Sequence, residues 1–144
     1  MVVSAYWFGK AMLSLANKEV DWLTDEIKVA LCTSSYAPAQ DTDDYFSDVT
    51  NEVTGTGYTA GGAILTGKTI TYAAGTNIAK YDADDSTWTT STITARIAVV
   101  YVNTGNPATS PLLCWQDFGQ DYTSSANTFT VTWDAAGIMI QTVS

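Results

Sequence analysis

The sequence predicts a mainly β protein: a single-domain antiparallel β-sandwich, jelly-roll-like, or a small barrel, with one N-terminal α-helix. Short runs rich in Val, Ile, Thr and aromatic residues recur after residue 25, as in pleated, half-buried strands. Clusters of Gly, Asn and Asp separate these runs, and this is the composition of turns. The length of 144 residues and the hydrophobic content of 46% fit one folded domain, residues 1–144.

The helix is predicted at the N-terminus, over residues 4–18. Apolar side chains recur there at helical spacing. Ser4 is suited to cap the first turn, and Asn17 is suited to end the helix. Gly9 opposes the helix by about 1 kcal/mol relative to alanine.

The remaining predicted elements are strands at short spacing, which favours a sandwich or barrel over alternating β–α units. The apolar run in residues 93–103 is the strongest of them and is expected to be central. The predicted strands are residues 26–33, 64–73, 78–81, 93–103, 112–118, 128–133 and 138–143.

A long excursion is predicted for residues 34–63, which are rich in Asp, Thr, Ser and Gly. Two interpretations remain open: an ordered loop throughout, or a short helix around residues 41–49 followed by a loop. Long loops inside one domain are often functional.

The charge balance argues against two classes of partner. The net charge is −9, and the six basic residues are scattered along the chain. Phosphate backbones and anionic membrane surfaces are bound by clustered Lys and Arg, so we expect neither nucleic acid nor membrane as a partner. The N-terminus lacks the pattern of a signal peptide, and no run approaches the roughly 20 apolar residues of a membrane span.

No catalytic constellation is recognisable in the sequence. There is no histidine, which excludes Ser-His-Asp and Cys-His arrangements. The run Gly67-Lys68-Thr69 lacks the upstream glycine of a phosphate-binding loop. The acidic residues fall in runs, as in solvated loops, so a glycosidase pair is disfavoured. We therefore predict a protein that is not an enzyme and has no cofactor.

Two other groups of residues are candidate sites. Cys32 and Cys114 lie in apolar runs, so buried, reduced core positions are favoured over a disulfide. Asp82, Asp84 and Asp85 place several oxygens at short spacing and are candidate calcium ligands. The simpler interpretation, a charged turn between strands, is favoured because the run lacks a complete calcium-binding loop.

The tryptophans divide by their surroundings. Trp22, Trp115 and Trp133 lie among apolar residues and are predicted to be core. Trp88 lies among small polar residues and is predicted to be partly exposed, where it could contact a glycan or a protein.

Five stretches of the chain resemble a group of small structural proteins of tailed phages, and they are spread over most of its length, from residue 20 to residue 139. They are VDWLTDEIKVALCT (residues 20–33), YAPAQDTDDYFSDVTNEVTGTGYTAGGAIL (36–65), TARIAVVYVNTG (94–105), SPLLCWQDFG (110–119) and FTVTWDAAGIM (129–139). The resemblance implies a non-enzymatic virion component, and the favoured role is a capsid decoration or cement protein. The resemblance assigns no function to any single residue, because the shared stretches are strand and turn patterns.

The resemblance sets the expected partners and location. We expect contacts with other virion proteins, foremost the major capsid protein, together with self-association, in a virion assembled after synthesis in the host cytoplasm. Two alternatives stay open: a tail-associated subunit of a tube, tip or fibre, and a β-sandwich module that binds glycans. The expected contact regions are the N-terminal segment, the 36–60 excursion and Trp88, with the candidate residues Tyr6, Trp7, Phe8, Tyr36, Tyr45, Phe46 and Trp88.

Overall fold

A computed structural model describes residues 5–144 and shows two antiparallel β-sheets with one short α-helix. Strands make up 47% of the described residues and helical residues 9%, so the predicted mainly β sandwich is confirmed. In chain order the elements are β1 (Tyr6–Trp7), α1 (Ala11–Ala16), β2 (Ile27–Cys32), β3 (Ala63–Ile64), β4 (Thr69–Ala73), β5 (Ile78–Asp82), β6 (Ser86–Val102), β7 (Leu112–Val131) and β8 (Met139–Thr142).

The larger sheet has five strands in the order β1-β7-β6-β2-β3, and the smaller sheet has three in the order β4-β5-β8. Strand β2 pairs with β6 along its whole length, with Val29 opposite Val100. Residues 97–102 of β6 are buried on both faces, with at most 3% of any side chain exposed. The apolar run predicted to be central is therefore the centre of the large sheet.

Strands β6 and β7 form one long hairpin, which the sequence did not predict. Their pairing runs from Ser86 opposite Val131 to Tyr101 opposite Leu112. The register shifts at four points, and bulges of this kind bend a strand pair. The two strands predicted at residues 112–118 and 128–133 are therefore one strand, continuous through a polar segment.

The largest bulge lies at Arg96. Four residues of β7, 118–121, face this one residue, because Ala95 is opposite Tyr122 and Ile97 is opposite Asp117. Gly119 takes a φ of +81° there, a conformation that L side chains rarely adopt. The Arg96 guanidinium binds the Asp117 carboxylate at 2.8 Å, and the Gly119 N–H donates to the same carboxylate. These contacts hold the pKa of Asp117 below its usual value.

The N-terminal helix is much shorter than predicted. Residues 6–7 form a strand that pairs with Trp115 and Cys114 of β7, so the helix begins only at Ala11. Aromatic residues suit a strand once a partner strand is present, and the sequence window does not contain that partner. Asn17 ends the helix as predicted, although Lys18 is the residue with a positive φ. Ser4, the predicted cap, lies outside the described residues.

The strand predicted for residues 64–73 is two strands in different sheets. The chain leaves β3 and turns at Gly67, which has a φ of +62°. A Cβ atom at this glycine would lie 2.4 Å from the Asp84 carboxylate, so any other residue would displace the Asp84 side chain. The Asp84 N–H donates to the Thr66 carbonyl and fixes the turn.

Two tryptophans join the small sheet to the rest of the protein. The Trp7 ring meets Tyr81 edge-on at 5.9 Å, and its indole N–H donates to the Ile140 carbonyl at 3.0 Å. Trp22 meets the same tyrosine at 5.7 Å and donates to the Thr69 carbonyl at 2.9 Å. The small sheet is therefore fixed at both of its edge strands.

The two cysteines are free thiols in the core of the large sheet, in strands that β6 separates. Cys32 lies opposite Ile97 and Cys114 lies opposite Val100. Burial, helped by the nearby charge of Glu52, raises the pKa of Cys32 to about 12. Burial alone raises the pKa of Cys114. Neither thiol forms a reactive thiolate at neutral pH.

We predict that Trp7→Ala lowers the free energy of unfolding by about 3 kcal/mol, because it removes the ring contact with Tyr81 and the hydrogen bond to Ile140 together. Urea denaturation measures the change. The control is Tyr6→Ala on the same strand, whose exposed side chain is expected to cost about 1 kcal/mol or less. Equal losses for both variants would contradict the joining role of Trp7.

Candidate interaction surface

Strand β1 presents different side chains to the two faces of the large sheet. Side chains alternate along a strand, so Tyr6 and Phe8 point to one face and Trp7 to the other. Trp7 points toward the small sheet, as its contact with Tyr81 shows. Phe8 packs against Trp115 with ring centroids 4.7 Å apart and is fully buried.

Tyr6 is the exposed member of this aromatic group. Its ring stacks on Trp115 at 5.5 Å, yet 55% of the residue is accessible. Phe8 supports Trp115 from the core, so the exposed ring has a rigid base. An aromatic side chain held in this way loses little entropy when a partner covers it.

Helix α1 adds further exposed apolar side chains to the same segment. Met12 and Leu13 are both exposed, whereas Ala11 and Ser14 are buried. The helix contacts β7, so it is packed on the sheet that carries β1. We call Tyr6, Met12 and Leu13 the N-terminal surface.

The excursion between β2 and β3 is an ordered cover over the large sheet. Its only helical part from residue 41 to 49 is a single 3₁₀ turn at Phe46–Asp48. Phe46 stacks flat on Tyr101 of β6, with centroids 4.0 Å apart and the planes 6° apart. Tyr36 is buried and its hydroxyl donates to the Asp43 carboxylate at 2.8 Å. Burial raises the pKa of Tyr36 far above its usual value.

A second tyrosine ties the excursion to β2. The Tyr58 hydroxyl accepts from the Leu31 N–H at 2.9 Å and donates to the Glu52 carboxylate at 2.7 Å. The same carboxylate oxygen accepts from the Gly61 N–H at 2.6 Å. Burial is the main cause that raises the pKa of Tyr58. Residues 52–61 of the excursion are therefore fixed to β2 by part-buried hydrogen bonds and do not form a loosely attached loop.

Three of the seven predicted contact residues lie in the core. Phe8, Tyr36 and Trp88 are each at most 5% exposed, which removes them from the contact surface. Trp88 was predicted to be partly exposed, and this is wrong: it packs against Phe129 and Tyr58. The remaining four are accessible to different degrees, with Tyr6 exposed and the others half-buried: Trp7, Tyr45 and Phe46.

The acidic run between β5 and β6 is not arranged as a calcium site. Asp82 pairs with Lys80 at 3.1 Å. Asp84 accepts from Thr66, and Asp85 accepts from the Trp133 N–H at 3.0 Å. Within residues 5–144, no group of three or more His, Cys, Asp or Glu side chains could hold a metal ion. The three carboxylates fix turns and strand ends.

Three basic side chains form ion pairs with aspartates. Lys80 and Arg96 form the ion pairs described above, and Lys10 pairs with Asp44 at 3.4 Å. Half of the six basic residues are therefore paired with an aspartate. In the described part of the chain, no helix is long and apolar enough to cross a membrane.

Strand β4 forms a second exposed region, which was not predicted from the sequence. It is an edge strand of the small sheet, and all five of its residues are exposed. Tyr72 is 57% and Ile70 43% accessible. No charged residue occurs from Thr69 to Asn77, and this was the signal that could have indicated an open apolar edge.

The described residues thus offer contact surfaces: an aromatic edge at β1 and an apolar edge at β4. Comparison of the chain with protein-family models, with curated proteins and with solved structures finds no match. Inference about the function of this chain therefore starts from its own residues.

The turn that holds Phe46 yields a prediction about pH. The Asp48 carboxylate accepts from the N–H groups of Asp44 and Tyr45, at 2.9 and 3.1 Å, which lowers its pKa below the usual 3.8. A carboxyl with a lowered folded-state pKa stabilises the fold above its unfolded pKa. That stabilisation is lost as the pH falls through the folded value.

We expect Asp48→Asn to lower the free energy of unfolding at pH 7 by about 1 kcal/mol, as for a lost capping group. The difference between the variant and the wild type is expected to shrink as the pH falls below about 4. Urea denaturation at pH 7, 5, 4 and 3 measures both effects. A difference that stays constant over this range would mean that the carboxylate charge is not what stabilises the turn.

Proposed function

We propose that this chain is a non-enzymatic structural protein of a tailed-phage particle, and that it decorates the capsid by binding between capsid subunits. The observation that carries the proposal is the exposed Tyr6 ring stacked on Trp115 at the edge of a rigid sheet. Tyrosines held in this way are frequent anchors of protein–protein contacts, because a rigid ring supplies a large apolar contact area.

The resemblance to small phage structural proteins supports the same role. Two of the resembling stretches, residues 94–105 and 110–119, supply much of β6 and the start of β7. They build the scaffold on which Tyr6 and Trp115 sit. A decoration protein needs such a scaffold, because it stabilises the particle only through the interface area that it covers.

A decoration protein acts by linkage. Binding to assembled capsid and not to separated subunits shifts the equilibrium toward the intact particle. The partner we propose is the major capsid protein, and the location is the virion, after synthesis in the host cytoplasm. The paired basic side chains and the net charge of −9 favour a protein partner over nucleic acid.

The two alternatives differ in what supports them. A tail-associated subunit is favoured by the open edge of β4, since an exposed sheet edge can pair with a strand of a neighbouring subunit. The glycan-binding module loses its anchor, because Trp88 is buried. An open groove of about 330 Å³ beside Phe46, Lys28 and Asn103 is where sugar binding would be tested.

The test is co-sedimentation of the purified protein with capsids that lack it, followed by a heat challenge. We expect saturable binding and a higher fraction of intact particles after heating. Tyr6→Ala is expected to weaken binding at least about tenfold, as for an anchor residue, while Tyr6→Phe retains it because the stacked ring remains.

The matched control is Leu23→Ala, in a loop outside the N-terminal surface, where the side chain has nearly the same exposure as Tyr6, 53%. It is expected to bind like the wild type. Point substitutions are preferable to deletion of residues 1–10, because that deletion would also remove the buried Phe8. Absence of capsid binding, with tubes or rings formed by the protein alone, would contradict the capsid role and support the tail role.

A further inference from the structure

We propose that two copies of this chain pair through β4, edge to edge and antiparallel, into one continuous six-stranded sheet. The pairing would place Ile70 of each copy beside Tyr72 of the other, around a two-fold axis at Thr71. This inference rests on the geometry of the small sheet and does not depend on the proposed function.

The backbone of β4 has free hydrogen-bonding groups at its outer edge. The carbonyl of Tyr81 in β5 accepts from the N–H of Ile138, and the carbonyl of Asn77, just before β5, accepts from the N–H of Val143. Ile138 and Val143 flank β8. The backbone N–H and C=O groups of successive residues point to opposite sides of a strand. Those of Asn77, Ala79 and Tyr81 therefore point toward β8, and those of Ile78, Lys80 and Asp82 point toward β4. Ile70 and Tyr72 lie opposite Tyr81 and Ala79. Their own N–H and C=O groups therefore point away from β5, toward the open edge.

A second copy satisfies these groups completely. In an antiparallel alignment centred on Thr71, Ile70 and Tyr72 of opposite copies exchange both of their backbone hydrogen bonds. Two such pairs form, related by the two-fold axis, which is the isologous arrangement of most homodimers. Each pair also sets an isoleucine beside a tyrosine on the same face, and a β-branched residue next to an aromatic one is a favourable cross-strand pair.

Within residues 5–144, the outer edge of β4 lacks the features that normally prevent such pairing. Natural edge strands are protected by Lys, Pro, bulges or covering chain. Residues 69–77 contain neither charge nor proline, and β4 pairs with β5 without a register shift. The nearest lysine, Lys68, donates to the Asp25 carbonyl and is directed into its own chain.

The other edge of the small sheet is less available. Trp7 donates its indole N–H to the Ile140 carbonyl, so β8 already has a partner from the large sheet. Trp22 reaches only the first residue of β4, Thr69. Among the described residues, this leaves the segment from Ile70 to Ala73 as the uncovered edge of that sheet.

The expected dimer is weak and has a defined salt dependence. A pair of five-residue strands is small compared with the roughly 1,200 Å² or more that specific, stable interfaces bury. Each copy carries a net charge of −9, so two copies repel each other at low salt. The paired β4 edges contain no charged side chains, so added salt weakens no attraction there. It screens the repulsion between the net charges of the two copies. Association is therefore expected to strengthen as salt is raised from about 0.02 to about 0.5 M.

The experiment uses two double variants of the full chain in sedimentation equilibrium. One carries Ile70→Lys and Tyr72→Lys, and the other carries Ile70→Glu and Tyr72→Glu. Each alone is expected to dimerise at least about tenfold more weakly than the wild type, because like charges lie side by side. An equimolar mixture is expected to recover dimerisation, since every Lys then faces a Glu. Both variants remain net negative, so their overall charges do not attract.

The control replaces a similarly exposed residue on β3, an edge strand of the large sheet. Ile64→Lys is expected to dimerise like the wild type and to show no stronger association with the Glu variant than the wild type shows. The proposal is overturned if the wild type is monomeric at about 1 mM in high salt, if the double variants dimerise normally, or if their mixture fails to recover. Circular dichroism confirms the fold of each variant, and none of these outcomes depends on binding to capsids.

Discussion

The pairing of β6 with β7 is the interaction on which the rest of the structure depends. These two strands supply the centre of the large sheet, and every residue from 97 to 102 is buried between elements that dock on them. Strand β2 pairs with the free side of β6, β1 pairs with the free side of β7, and the excursion after β2 stacks Phe46 on Tyr101. The register shift at Arg96 is of a kind that bends a strand pair. Beyond it, in residues 86–95 of β6, Trp88 packs against Tyr58 of the excursion.

The exposed contact surfaces of this fold lie at the sheet edges formed by β1 and β4. The hydroxyls of Tyr36, Tyr58 and Tyr81 are engaged by Asp43, Glu52 and Gln141. The buried thiols carry raised pKa values and are poor nucleophiles. The open edges differ in character: β1 is two residues long and carries a stacked aromatic, whereas β4 is five residues long and offers free backbone groups. The two edges can therefore serve different partners.

The sequence predicted the parts that local pattern determines. Residues 26–33 and 93–103 agree closely with β2 and the second half of β6, because strands buried on both faces are nearly continuous apolar runs. The predictions that were wrong share one cause: contacts between residues far apart in the sequence decide the structure there. Tyr6 and Trp7 look helical until Trp115 and Cys114 pair with them. Trp88 looks exposed because its neighbours are small and polar, yet Phe129 and Tyr58 cover it. Within the candidate site, Tyr6 was predicted and the edge of β4 was not, since edge position is a property of the sheet order.

Hydrogen exchange resolved by residue tests the dependence on the β6–β7 hairpin most directly. If the hairpin is one unit despite its bulges, amides in residues 86–95 and in residues 97–102 open together. Their free energies of opening would then agree to within about 1 kcal/mol and match the global free energy of unfolding. Fast, independent exchange of the amides of residues 86–95, with only residues 97–102 protected, would show that residues 86–95 unfold separately. That result would contradict the central role of the hairpin.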